Sequence, residues 1–252
     1  ITNVHRIEGG GTEFPMMIMD GSAGQGLIVH ELGHNYTMGI LANNEWREGW
    51  LDEGFTSFQT SLFSATQPGG TDEDAADDAF LTGLDLDGMS EPASLVSDKY
   101  RDFTSYGISI YSRGEMFFHR LRYIVGDEAM LRILRTFYDR WKLKHVDEAA
   151  FRAVAEEVSG MDLGAFFGQG LHGTALVDYA VGRVKVEPSS RRAAEQAGWD
   201  TRVEVLRKAD GRIPVEVWVF GATDTAVVRT DGAATAEWAT VHTRSKPREV
   251  RI

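Results

Sequence analysis

His30-Glu31-Leu32-Gly33-His34 sets two imidazoles four residues apart with a carboxylate between them. On a helix, residues i and i+4 share a face and lie roughly 6 Å apart along the axis. Two imidazoles so placed can grip one zinc ion. Glu31 falls about 100° round the helix from His30, so it does not join them as a ligand. It can instead reach a water on the ion. Zinc lowers the pKa of such a water to about 7, and Glu31 can then take its proton. A chance match on an ordinary amphipathic helix is the bland alternative for these five residues taken alone. The chain has no cysteine, so any zinc must use histidine and carboxylate.

A two-histidine site needs a third ligand, and two His with one Glu is an established catalytic set. Eighteen residues separate His34 from Glu53, which stands in Trp50-Leu51-Asp52-Glu53-Gly54-Phe55-Thr56. Here the sequence resembles the aminopeptidase N-type family of gluzincin zinc metallopeptidases. That family shows H-E-x-x-H, eighteen residues, then the Glu of W-L-N-E-G-F. Trp46 and Trp50 also fall where family tryptophans do, and Asp52 replaces the usual Asn. The resemblance implies one zinc per chain on His30, His34 and Glu53, with Glu31 as the base.

Two more segments carry the resemblance. Gly10-Gly11-Thr12-Glu13-Phe14 is similar to the family's G-x-M-E-N, with Thr12 for Met and Phe14 for Asn. In the family this strand lines the substrate cleft. The implied substrate contacts are Gly10, Gly11 and Glu13, with Glu13 binding the peptide's free α-ammonium. Ile110-Tyr111-Ser112-Arg113-Gly114 resembles V-Y-x-K-G-A, with Arg113 keeping the positive charge and Glu115 departing from Ala. The implied role of Tyr111 is a hydrogen bond to the oxyanion of the tetrahedral intermediate. Tyr106 is the rival tyrosine, but no Gly follows it at the matching place.

These residues need elements to hold them. The first 20 residues read as extended chain, broken by glycines at 9, 10 and 11, with Phe14 to Met19 an apolar run of strand length. From Ser22 to about Leu171 the pattern is helical. Asp127 is the expected N-cap of a helix over Ala129–Trp141. Asp147 caps Glu148–Val158, which Gly160 ends, and Asp162 opens Leu163–Phe167. The acidic stretch Thr71–Asp78 lacks the spacing of a calcium loop and reads as a solvated loop or helix start. Phe117, Phe118, Phe137 and Tyr138 are expected in the core. His5, His119, His145, His172 and His242 have no partner spacing and read as structural or surface residues.

After about Val177 the texture changes. Val203–Leu206, Pro214–Phe220, Ala226–Arg229 and Glu237–His242 are short alternating or β-branched runs between turn residues. The expected fold is α+β. A thermolysin-like, mostly helical zinc peptidase domain over 1–176 precedes a small all-β sandwich over 177–252. The resemblance itself covers about residues 9 to 180.

The composition fits that reading and excludes others. In 252 residues, 42% are hydrophobic and 25% charged, ordinary for a soluble globular protein. A net charge of −12, from 26 basic and 38 acidic residues, argues against a nucleic-acid partner. It mildly favours cationic ligands such as a free peptide amine, with plain solubility the simpler reading. No run approaches the length of a membrane span. Ile1 opens inside a strand-like stretch, as expected of a piece of a longer or processed protein. Any export signal would lie upstream of it, and the compartment stays open. The resemblance implies that the family's large N-terminal β domain is missing from this chain.

The expected activity is removal of N-terminal amino acids from peptides with a free N-terminus. One rival is an endopeptidase on the same zinc core, which would cleave N-acetylated peptides as well as free ones. The other is a non-enzymatic binding scaffold, which would hold zinc and cleave nothing.

Overall fold

In the computed structural model, residues 1–5, 9–70, 74–189 and 197–252 are described. Strand β1 (Thr2–His5) runs parallel to β3 (Met17–Asp20), which pairs antiparallel with β2 (Gly11–Phe14). The apolar run Phe14–Met19 is therefore not one strand. It is cut by a two-residue turn, in which Met16 takes a left-handed φ of 67°. Proline at 15 removes a ladder donor and fixes φ, so the chain reverses there. The Met16 amide donates to Asn35 Oδ1 at 3.0 Å, tying the hairpin tip to the next helix.

That helix, α1 (Gln25–Thr37), carries the paired histidines. A short strand β4 (Leu41–Ala42) follows, then a π-helical turn Trp50–Gly54 running directly into α2 (Phe55–Ala65). Of the acidic stretch Thr71–Asp78, residues 71–73 lie outside the described residues, and the rest opens α3 (Asp74–Leu86). A second π-helical turn, Ile108–Arg113, joins α4 (Phe103–Gly107) to α5 (Gly114–Val125). Then come α6 (Asp127–Trp141), β5 (Lys144–His145), which pairs parallel with β4, α7 (Glu148–Ser159) and α8 (Gly164–Gly170).

Local signals explain most of these ends. Asp147 caps α7 by accepting from the Ala150 amide, and Gly160 closes it in the left-handed region. Two expected caps are displaced. Gly126, at φ 85° and ψ 157°, caps α6, a conformation that suits glycine, while Asp127 is the first helical residue and pairs with Arg122 at 2.7 Å. Helix α8 starts at Gly164 rather than Leu163, with Asp162 accepting from the Gly164 amide at 2.9 Å.

The helical core is aromatic. Phe118 is fully buried, stacked on Phe55 at 4.8 Å and on Trp50 at 5.8 Å, and meets Phe151 edge-on at 5.5 Å. Phe117 and Phe137 are buried as expected, whereas Tyr138 is only half-buried, with the Lys142 ammonium 5.5 Å from its ring centre. Trp50 and Phe55 flank Glu53 in sequence, so this core sets the backbone that carries it. His119 is buried against Phe58, while His172 bridges Ser94 (3.0 Å) and Glu148 (2.9 Å).

The chain divides into two compact units, Ile1–Thr174 and Ala175–Ile252. The second holds two three-stranded antiparallel sheets. One has the order β10-β7-β6 (Ala236–Thr243, Trp199–Arg207, Tyr179–Pro188). The other is β11-β8-β9 (Pro247–Arg251, Val215–Gly221, Thr225–Thr230). Side chains alternate across a strand, and Val203 and Val205, Val215, Val217 and Val219, and Ala239 and Val241 meet in one apolar cluster. The architecture as a whole is α+β. Among the described residues no helix is long and apolar enough to cross a membrane.

Candidate metal centre and substrate cavity

One turn of α1 brings the two imidazoles together, with His30 Nε2 and His34 Nε2 3.1 Å apart. Glu53 Oε2 lies 3.0 Å from the first and 3.1 Å from the second. Donors held at roughly 2.0–2.2 Å by one tetrahedral ion lie ~3.3 Å from each other. The observed triangle is close to that size, and nitrogen, nitrogen and carboxylate oxygen suit zinc.

The second layer fixes which nitrogen faces the triangle. Asp52 Oδ1 lies 2.7 Å from His34 Nδ1, and both side chains are buried. A carboxylate here accepts from Nδ1–H, which leaves the Nε2 lone pair turned toward Glu53 and His30. Thr56 Oγ1 stands 3.4 Å from the same Nδ1 and 2.7 Å from Thr37 Oγ1. Donor atoms of Glu13, His34 and Asp52 also lie within 4.8 Å of one another. Asp52 is committed to Nδ1, however, so the His30–His34–Glu53 set is the better metal cradle. Burial acts against ionising Glu53, yet hydrogen bonds with His30 and His34 outweigh it and hold the carboxyl down to about 2.

Both π-helical turns serve this centre. In the first, the Phe55 amide reaches back five residues to Trp50 O, and in the second the Gly114 amide reaches Ser109 O. Such a turn holds one residue more than α-helix would and re-aims the side chains on it. Glu53 rides on the first turn and Tyr111 on the second. The backbones cross where Gly54 meets Gly114. A Cβ on Gly54 would sit 2.7 Å from Gly114 Cα, and one on Gly114 would sit 2.9 Å from Gly54 Cα. Only glycine permits this approach.

Across the contact Tyr111 is hydrogen-bonded to the Glu53 carboxylate, and its ring stacks on His30 at 5.9 Å. Burial and the Glu53 charge push the Tyr111 hydroxyl above its ordinary range, so it stays protonated and can donate. Tyr106 hydrogen-bonds Ser97 and lines the cavity instead.

Glu31 is buried, and its Oε2 has no hydrogen-bond partner among the described residues. Burial pushes its carboxyl up to about 7, against the pull of His30 and His34. Strand β2 runs against it, since a Cβ on Gly11 would overlap the Glu31 carboxyl. Gly10, at φ 84°, supplies the turn into that strand. Two residues past Gly11, Glu13 reaches the wall of a cavity of about 580 Å³ that Asp52 and Glu53 also line. Burial raises the Glu13 carboxyl.

All eight residues singled out in the sequence thus fall in one region, the three donors meeting within hydrogen-bond distance. Sequence reasoning passed over three features. Asp52 was seen only as a neighbour of Glu53. The Gly54–Gly114 contact joins two motifs, each of which shows its glycine but not its counterpart. Glu45, on the cavity wall beside Trp46, carries no motif at all.

Comparison with known proteins gives the family and the fold. The model of the peptidase family M1 domain matches residues 18–169. Rat aminopeptidase B is 28% identical over 141 residues, covering 52% of this chain and 20% of the relative. Aminopeptidase N of Caulobacter vibrioides is 27% identical over 150 residues, 57% of this chain and 17% of the relative. The chain thus spans about a fifth of the length of the curated relatives it matches. Among solved structures, Legionella pneumophila aminopeptidase A in complex with aspartic acid superposes at TM-score 0.65 and 13% identity, over 97% of this chain and 30% of that one. An M1 zinc metallopeptidase from Deinococcus radiodurans gives 0.58 at 20% identity, over 68% of this chain and 39% of that one. Identities this low speak for the fold.

Proposed function

The chain belongs to peptidase family M1, and on that premise we propose that it removes N-terminal residues from peptides with one zinc ion held by His30, His34 and Glu53. The observation that carries this is the triangle of donor atoms with sides of 3.0–3.1 Å. We further read the first unit as a thermolysin-like catalytic domain over 1–176 and the remainder, 177–252, as a small β-sandwich domain.

Zinc bound in that cradle supplies a Lewis acid that polarises the scissile carbonyl and acidifies water. The chain's own groups do the rest. Glu31, buried and without a partner on Oε2, accepts the proton of the attacking water and delivers it to the leaving amine. The Tyr111 hydroxyl donates where the carbonyl oxygen gains negative charge. Asp52 keeps His34 in the tautomer that faces the metal. Glu13 pairs with the substrate's free α-ammonium, with Gly10 and Gly11 alongside, and so sets the first peptide bond in place.

The test uses paired fluorogenic peptides, free and N-acetylated, with the zinc-loaded protein and its Glu31→Gln variant. Free peptides are expected to turn over and acetylated ones not. Glu31→Gln is expected to keep its zinc while kcat falls at least about a hundredfold. Equal cleavage of both peptides would replace this reading by an endopeptidase. Bound zinc with no cleavage of either would favour a binding scaffold.

A further inference from the structure

Two neighbouring residues outside the motifs hold two parts of the site at once. Ser90 and Glu91 lie in irregular chain after α3. The Glu91 carboxylate accepts from the Arg101 amide, with its two oxygens at 3.3 and 3.2 Å, and from the Ser105 hydroxyl. Those donors bracket the start of α4, whose Phe103 and Tyr106 line the substrate cavity. The Glu91 carbonyl accepts from Ser109 Oγ at 3.3 Å, and Ser90 Oγ accepts from Arg113 Nη2 at 2.6 Å. Ser109 and Arg113 belong to the second π-helical turn and stand two residues either side of Tyr111.

The chemistry of these ties is specific. Ser105 and Ser109 are both buried, so each hydroxyl must find its acceptor inside the protein, and Glu91 serves both. An ionised carboxylate only accepts, and here it meets two donors. Glutamine would turn an amide N–H toward one of them. Arg113 is anchored further by Asp85 at 2.5 Å, with both side chains buried. The turn it ends holds one residue more than regular helix, so tertiary ties must keep it. Two of those ties lead to Ser90 and Glu91. The same dipeptide thus fixes the cavity wall and the turn that carries Tyr111. A displacement of ~1 Å between such parts can cost about a hundredfold in rate.

We infer that Glu91 is a positioning residue for the reaction. Its carboxylate sets the wall that receives the substrate, its carbonyl and Ser90 set the turn that presents Tyr111, and together they keep wall and turn aligned. The inference rests on the aminopeptidase reading for the roles of the wall and of Tyr111.

The two ties can be cut one at a time. On the full zinc-loaded protein, kcat and KM are to be measured with a free fluorogenic peptide for Ser105→Ala, Ser109→Ala and Glu91→Gln. Ser105→Ala is expected to raise KM about three- to tenfold with kcat within about twofold, and Ser109→Ala to lower kcat about three- to tenfold with KM within about twofold. Glu91→Gln leaves the carbonyl in place and is expected to follow Ser105→Ala. Combining those two is expected to raise KM no further than either alone. Melting temperatures check that the variants fold, and a merely structural tie would lower stability without splitting the two constants. Ring-labelled tyrosine followed by NMR reads the same ties without turnover, with Tyr106 and Tyr111 assigned from their phenylalanine variants. The Tyr106 resonance is expected to move in Ser105→Ala and the Tyr111 resonance in Ser109→Ala. No cleavage of free peptide by the native protein would overturn the aminopeptidase reading, and the resonances alone would then decide the inference. Constants that change together in both serine variants, or in neither, overturn it, as do tyrosine resonances that move together or not at all.

Discussion

At the scale of single residues, the distinctive member of the site is Asp52 rather than any of the three proposed metal ligands. Its carboxylate lies 2.7 Å from His34 Nδ1 in a place without solvent. Asp52→Asn keeps an acceptor oxygen and the volume but removes the charge that makes His34 a stronger donor. Zinc affinity is expected to drop about 10- to 100-fold, read by competition with a chelator. Unchanged affinity would reduce Asp52 to packing. Much of the centre was legible in the sequence, because His30, Glu31 and His34 lie within five residues and helix geometry alone sets their spacing. Asp52 was not, since the letters do not say which neighbour of a ligand turns toward an imidazole. Glu45 was not either. Its neighbour Trp46 is tied to Ser97, some fifty residues further on, by a backbone hydrogen bond that no spacing rule encodes.

At the scale of elements, the site depends on how two helices are allowed to approach. Gly54→Ala would place a methyl 2.7 Å from Gly114 Cα and 2.8 Å from Ile110 O, both backbone atoms. It is expected to cost about 1–3 kcal/mol by overpacking, seen as a lower denaturant midpoint. Gly107→Ala is the control. That glycine ends α4 at an ordinary helical φ, with nothing within 4 Å of the added Cβ. It is expected to be neutral or stabilising by up to about 1 kcal/mol. If both substitutions behave alike, the crossing is looser than these distances require. Elements with local signals were legible, as with Asp147 and Gly160 around α7. Strand β6 was not, because its ladder shifts register between Val181 and Val184 and most of its side chains are exposed, which breaks the alternation a strand would show. The π-helical turns were invisible for a different reason. Trp50–Gly54 and Ile108–Arg113 have no composition of their own, and the extra residue is tolerated only because tertiary contacts hold it.

At the scale of the whole molecule, the two units have separate cores, one of stacked aromatics around Phe118 and one of β-branched residues around Val217. Unfolding is therefore expected to depart from a single two-state transition in calorimetry. The second unit also has an acid-sensitive tie. Arg183 grips Glu204 with Nε at 2.9 Å and Nη2 at 2.7 Å, and these hydrogen bonds hold the carboxyl down to about 2, below its ordinary 4.5. A lowered carboxyl stabilises the fold fully above about pH 4.5, and that contribution disappears as pH falls toward about 2. The melting temperature of this unit is expected to fall across that window, and to fall less in Glu204→Gln. Trp238, with the Arg183 guanidinium 5.3 Å from its ring, is a fluorescent reporter for it. Identical acid profiles for both proteins would mean that the pair contributes nothing measurable. The π-helical turns have a further consequence at the level of the gene. Each is one amino acid longer than a regular helix would need. Loss of a single codon within Ile108–Arg113 would let α4 and α5 run on as one regular helix. Everything before the lesion would then be turned by about 100° relative to the rest of the chain. Such an allele is expected to keep its helix content while Tyr111 turns away from Glu53 and His30, a defect that expression level or antibody staining would never disclose.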